Sequence, residues 1–278
     1  MTFLAIMVVF FIVQYWGSGQ PVHKDEWWGR WSERVRQSVS SSEIIVLGQV
    51  VVPVIGAFLV FGLLSSFSQL LVFLASILVL LYSLGRGDFT ELVKAYIEAY
   101  HRQDNEAAAE YAQRLGVDTD ELLGWGELNK EVLRQSVYHG LERMFAAFFW
   151  FFVLGPLGAL LYRLANFSAN SDENTNDVRL FAVRLVWLLE WPVVRILGCT
   201  FALTGNFVGC FQRVVDALLN TDRSTLDELE IMVHGALNIN TQEVVQESIT
   251  EQEVEALLPL LSRTLIFWLC AMGVLSLL

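Results

Sequence analysis

The sequence predicts an all-α polytopic integral membrane protein with about six membrane helices and cytoplasmic helical regions. Composition points there first. Hydrophobic residues make up 54% of the 278 residues and mean hydropathy is +0.48. Ordinary soluble domains hold roughly 45–50%. The apolar residues also come in blocks, and helices satisfy their own backbones in lipid. The basic residues are the third pointer, because they fall on alternate links. Lys24, Arg30, Arg34 and Arg36 lie between the first two runs. Arg86, Lys94, Arg102, Arg114, Lys130, Arg134 and Arg143 lie between the third and fourth, and Arg213, Arg223 and Arg263 between the last two. The links Ser65–Gln69 and Phe167–Asp177 carry no Lys or Arg. By the positive-inside rule, both helical regions then lie in the cytoplasm and both termini outside.

Thr2 to Val13 is apolar and ends at Tyr15 and Trp16, residues that suit an interface belt. With no basic stretch before it and no small-residue cleavage site, it is predicted to be a retained first span. Residues 17–43 carry an interfacial helix, Asp25 to Val39, capped by Asp25. Trp27, Trp28, Trp31 and Val35 recur at helical spacing with Arg30, Arg34 and Arg36 between them, the pattern of a helix in the headgroup region. The alternative is a helix packed on the protein's own soluble part. Ile44 to Leu84 is too long for one span, and Ser65–Gln69 folds it into a hairpin. Pro53, Gly56 and Gly62 in its first arm read as packing features.

Residues 85–143 form a cytoplasmic helical insertion. Thr90 to Arg102 places Leu92, Tyr96 and Ala99 on one face. Asp104 caps a helix over Asn105 to Leu115 that Gly116 ends, and Glu127 to Arg143 leads into the membrane. Phe145 to Asn166 is the next span, uncharged before Arg163. Leu180 to Phe207 follows and carries Arg184, Glu190 and Arg195, charges of both signs at membrane depth. Residues 208–263 are a second cytoplasmic region, with amphipathic helices at Leu226 to Leu237 and Thr250 to Leu261. The closing run Leu265 to Leu278 is short for a span.

The formal net charge of −12 speaks against a nucleic-acid partner, which needs a basic face. Cys199, Cys210 and Cys270 lie in or beside apolar segments and read as small apolar filler. His23, His101, His139 and His234 are scattered, so neither a metal nor another cofactor is expected. On an ideal helix Arg184, Trp191 and Arg195 project to one side, an arrangement able to hold phosphate or carboxylate. Pairing with acids on neighbouring helices, or snorkelling to headgroups, is the alternative. A transporter reading has little support, since no internal repeat is visible.

Asn105-Glu-Ala-Ala-Ala, Leu115-Gly-Val-Asp-Thr119, Phe148-Phe-Trp150, Gly155-Pro-Leu-Gly-Ala-Leu-Leu-Tyr-Arg163, Glu190-Trp-Pro-Val-Val-Arg195 and Met232-Val-His-Gly-Ala-Leu237 occur in this order. Together they make most of the chain resemble the CobD/CbiB membrane family, and within it the regulatory AmpE branch. The enzyme branch joins a corrinoid acid to an amino alcohol using ATP. It carries an acidic motif resembling Glu-Ser-x-x-Glu-Asn-x-x-Asp-Gly where this chain has Gln135-Ser-Val-Tyr-His-Gly-Leu-Glu-Arg143. Two further elements differ: Val13-Gln-Tyr-Trp-Gly17 replaces an Asp-ended first helix, and Asn166-Phe-Ser-Ala169 replaces Asn-Thr-Leu-Asp. Acyl activation by ATP needs carboxylates to hold Mg²⁺, so their loss speaks against that reaction. The resemblance implies a non-catalytic bacterial inner-membrane regulator or sensor, linked to β-lactamase induction and cell-wall recycling. Its expected partners are the lipid bilayer, another inner-membrane protein or single-span helix, and an anionic small molecule. Tyr162, Arg163, Asn166, Arg184, Glu190 and Arg195 are the expected ligand-binding residues. An enzyme with an altered site is the competing expectation.

Overall fold

The computed structural model describes residues 2–16, 25–84, 89–119, 124–219, 223–238 and 251–277. His23, Lys24 and Arg86 lie outside them. Among the described residues the regular structure is helical. The helices are α1 (Thr2–Trp16), α2 (Glu26–Ser38), α3 (Ser42–Phe67), α4 (Gln69–Ser83), α5 (Phe89–His101), α6 (Asn105–Arg114) and α7 (Trp125–Gly140). After a π-helical turn at Leu141–Phe145 come α8 (Ala146–Leu154), α9 (Pro156–Ala169), α10 (Asn176–Thr204), α11 (Phe207–Leu219), α12 (Thr225–Ala236) and α13 (Glu251–Leu275). The chain divides into two compact units, each discontinuous in sequence. One holds Met1–Gly87, Arg143–Glu190 and Met272–Leu278, the other Asp88–Glu142 and Trp191–Ala271.

By length and composition, Ser42–Phe67, Trp125–Leu154 and Gln252–Leu275 can cross a membrane, with Thr2–Tyr15 and Gln69–Ser83 as shorter apolar helices. The described residues are therefore all-α and membrane-like, and among them three helices, not six, are long and apolar enough to cross. The expected span Phe145 to Asn166 is interrupted. Gly155 adopts φ +69°, a left-handed conformation that glycine tolerates, and Pro156 starts a new helix. That helix folds back on α8: a Cβ at Gly158 would stand 2.3 Å from the Trp150 carbonyl oxygen. At the C-terminus, the expected short apolar run is part of α13, which passes through Pro259 as one helix of 25 residues. α11, inside the expected second polar region, had not been foreseen as a helix.

In the first unit α3 packs against α4, α9 and α2, and α4 against α1, α8 and α9. Ser68 alone separates α3 from α4, extended at φ −166° with its hydroxyl accepting from the Leu70 N–H at 3.2 Å. The inner end of α3 buries Ile45, Val46, Gln49 and Val50; beyond it Ile55, Phe58, Leu59 and Leu63 are exposed. So much contiguous apolar surface suits lipid rather than water. Asp25 occupies the position before α2 but its side chain makes no capping bond. The link after α9 lies beside the inner end of α3, because Ser168 and Asn174 both bond Gln49. Ser65–Ser68 closes the opposite end, about 25 Å along the helix. The two links without Lys or Arg thus cap opposite ends of α3. Gly273 of α13 lies against Phe3 of α1, so the two ends of the chain are neighbours.

The second unit is built of helices from both of its chain segments. α5 packs on α6 and α7, α7 on α12, and α12 on α11. Asp104 caps α6 through the Ala107 N–H at 3.1 Å, and Gly116 at φ +87° ends it, as the sequence indicated. Val132, Leu133, Leu141, Leu229, Met232 and Val233 are fully buried, each contributing on the order of 1.5–3 kcal/mol.

Candidate functional site

The expected ligand-binding residues separate into a buried cluster, an arginine stacked on an aromatic ring, an exposed residue and a member of an ion pair. In the first unit, α9 presents Tyr162 and Asn166 one turn apart. The Tyr162 hydroxyl donates to Glu190 Oε1 at 3.0 Å, and Asn166 Nδ2 lies 3.5 Å from the Tyr162 carbonyl. Tyr162, Glu190 and Asn166 are only 1%, 2% and 3% exposed. Arg163 points elsewhere and lies over the Phe167 ring at 4.2 Å, a cation–π contact. Arg184 is exposed and is not brought into this cluster.

In the second unit Arg195 is buried and faces Glu228 of α12. Its two terminal nitrogens donate to the two carboxylate oxygens at 2.7 and 3.0 Å, a bidentate pair, and its guanidinium lies 4.5 Å over the Trp191 ring. Burial pushes the Glu228 carboxyl above its ordinary value, and Arg195 opposes that shift. Of the two sequence alternatives for Arg195, pairing with an acid on another helix is the one observed. Nearby on α7, Arg134 reaches Asp227 at 2.5 Å and Glu230 at 3.6 Å, and Lys130 reaches Glu230 at 3.2 Å.

The sequence reading missed a buried polar network in the first unit. Gln49 donates to Ser32 Oγ at 2.8 Å and accepts from Ser168 Oγ at 2.7 Å. Asn174 donates to the Ser168 carbonyl at 2.8 Å and accepts from Arg36 at 3.1 Å. Arg36 also binds Glu33 at 2.6 Å and Glu173 at 2.5 Å. Hydrogen bonds from Arg36 and Gln37 hold the Glu33 carboxyl below its usual range. The only sequence signal was Gln49 itself, a lone amide within an apolar run.

The Met232–Leu237 motif fits between α10 and α11. A Cβ on Gly235 would stand 2.8 Å from the Gly209 carbonyl, one on Gly209 equally close to that of Gly235, and one on Gly198 2.5 Å from Met232 Sδ. His234 is buried beside these contacts, and burial lowers its pKa. The motif therefore secures helix packing.

The profile of the regulatory signalling modulator protein AmpE matches residues 1–226. The chain belongs to the AmpE family. It is also similar to the cobalamin biosynthesis protein CobD of Stutzerimonas stutzeri (strain A1501), 30% identical over 139 residues, which are 48% of this chain and 45% of that protein. The chain thus spans less than half the length of that curated relative, and the match ties the AmpE chain to the CobD/CbiB family. No solved structure matches. Residues 135–143 form the end of α7 and the start of the π-helical turn, with Ser136, Val137, Gly140 and Leu141 buried. Gly140 faces Leu261 with 3.3 Å of room for a Cβ, and the Ser136 hydroxyl donates to the Val132 carbonyl at 2.6 Å.

Proposed function

We propose that this AmpE-family chain is a non-catalytic inner-membrane regulator or sensor in β-lactamase induction and cell-wall recycling signalling. It acts by binding a membrane partner or a ligand. The carrying observation is residues 135–143: where the enzyme branch presents acids, this chain presents a helix face packed into its own core. Tyr162, Asn166, Glu190 and Arg195 serve as internal fixings, which leaves the exposed Arg184 as the ligand-facing member of the expected set. The partner surface is the exposed part of α3, where added Cβ atoms at Gly56 and Gly62 meet nothing within 4 Å.

Six passes fit this reading if α1, α3, α4, the apolar end of the Trp125–Leu154 helix, α9 and α13 cross, with α9 as the fifth pass in place of α10. At 14 residues α9 nearly matches α1 and α4 at 15, short passes that a locally thinned bilayer accommodates. This order keeps both helical regions and the 170–175 link cytoplasmic and both termini periplasmic.

The test joins two assays. Wild-type chain should restore inducible β-lactamase signalling in cells lacking it, while purified protein given ATP, a corrinoid acid and an amino alcohol forms no amide. ATP-dependent product would favour the second reading, an amide-forming enzyme with an altered site, which the 30% identity to the CobD protein supports.

A further inference from the structure

The first unit holds a second place where charge meets aromatic surface. α2 carries Arg30, Arg34 and Arg36. Arg36 is neutralised by Glu33 and Glu173 and bonded to Asn174. Arg30 has a 3.9 Å contact with the Glu26 carboxylate, with side chains 74% and 87% exposed, and donates its Nε–H to the Glu26 carbonyl at 3.4 Å; Arg34 has no ion-pair partner among the described residues. Arg30 and Arg34 line a cavity of about 440 Å³ with Trp27, Trp31, Val52 and Pro53. Trp31 brings an indole N–H that is buried and without an acceptor among the described residues.

The level of this cavity along the bundle gives it meaning. α4 runs back along α3 for 15 residues and ends at Ser83, one residue past Tyr82. Trp27 donates its indole N–H to the Tyr82 hydroxyl at 3.1 Å, which sets the cavity beside the end of α4. On α3 the exposed apolar positions Val51, Val52, Ile55 and Phe58 lie at this level and beyond it, and Ile44 and Leu47 are exposed before it. An aromatic pair at the edge of a lipid-facing surface marks the headgroup layer. Arginine binds phosphate oxygens through paired N–H groups, and exposed cations there attract acidic lipids.

We propose that the α2–α3 cavity binds the phosphodiester headgroup of an acidic phospholipid of the inner leaflet. Arg30 and Arg34 hold the phosphate, Trp31 supplies a further donor, and the acyl chains run along Val52 and the exposed face of α3.

The test uses the full chain in phosphatidylcholine nanodiscs doped with phosphatidylglycerol, with bound lipids counted by native mass spectrometry. Wild type should retain phosphatidylglycerol over phosphatidylcholine. Arg30→Gln with Arg34→Gln should lower that preference roughly 30-fold, taking two phosphate contacts of comparable strength. Val52→Trp fills the cavity and keeps both arginines, so it should also lose the lipid. Arg102→Gln with Arg114→Gln, just after α5 and at the end of α6, changes net charge equally and should leave retention intact. Equal retention by wild type and the Arg30/Arg34 variant, or by wild type and a folded Val52→Trp variant, would overturn the proposal. So would retention of glycerol 3-phosphate with no preference for phosphatidylglycerol, which would make this a soluble phosphate site.

Discussion

Removing the Arg195 guanidinium tests whether that residue fixes the second unit or waits for a ligand. The side chains of Arg195 and Glu228 are 7% and 2% exposed, and they meet through two hydrogen bonds. Arg195→Met keeps an apolar stem against Trp191 but leaves Glu228 in a dry site without its partner. Breaking a buried pair in this way costs about 3–5 kcal/mol. At about 2 °C per kcal/mol for a chain this long, the melting temperature should fall by roughly 6–10 °C. Glu228→Met alone should cost a similar amount, whereas the double variant should recover most of the loss, because both charges leave together. The assay is thermal unfolding in one detergent for all four proteins, paired with β-lactamase induction in cells. If the pair is an internal fixing, the double variant regains both stability and signalling. A single Arg195→Met variant melting within about 1 °C of wild type, or a double variant as unstable as the sum of the singles, would refute the reasoning.

Gly235→Ala should destabilise by about 1–3 kcal/mol or more, since the new methyl meets backbone at 2.8 and 2.9 Å, while Gly56→Ala should be silent; melting temperatures decide. His234 has a folded-state pKa below its unfolded value, so the neutral form is favoured on folding. Its contribution is present above the unfolded value and is lost as pH falls through the folded one, with Glu230, Glu253, Arg213 and Lys130 facing it. Melting should therefore fall on acidification below about pH 6.5, and His234→Gln should flatten that slope. Gln49→Leu should cost about 1–3 kcal/mol by stranding the Ser168 hydroxyl, while Ser32 keeps its bond from Arg36, read by the same melting assay. In a background without Cys199, Cys210 and Cys270, Ser66→Cys and Asp172→Cys should label with an impermeant maleimide from opposite faces of the membrane; labelling from one face would sink the order of passes proposed above.

Much of the fold was legible because helices announce themselves locally. Asp104 and Gly116 bracket α6, the Trp28 and Val35 spacing marks the buried side of α2, and Ser65–Gln69 divides α3 from α4. Direction was harder to read. An apolar run reports how much chain prefers lipid but not whether it goes straight, so Phe145 to Asn166 looked like one span. The Gly155-Pro156 pair carried the information, since one residue reverses the path and the other begins a new helix. Proline misleads in the other direction at Pro259, which α13 passes through without ending.

The site was less legible, because pairing is a property of the fold and not of spacing. Nothing near Arg195 in sequence announces Glu228, which lies 33 residues away. Tyr162 and Asn166 belong to the expected set through the resemblance and Glu190 as a charge in an apolar run, and in the fold all three are polar groups that burial obliges to find partners. The consequence reaches function. A charge already satisfied inside the protein has little left to offer a ligand, and a buried pair must first be broken before either member can bind anything else. Recognition therefore falls to groups that the fold leaves unspent. On α2 the contrast is drawn within a single helix, where Arg36 is bound on several sides while Arg30 and Arg34 face a cavity at the edge of the apolar surface. A regulator that has to respond to the state of its membrane would have its contact with that membrane there.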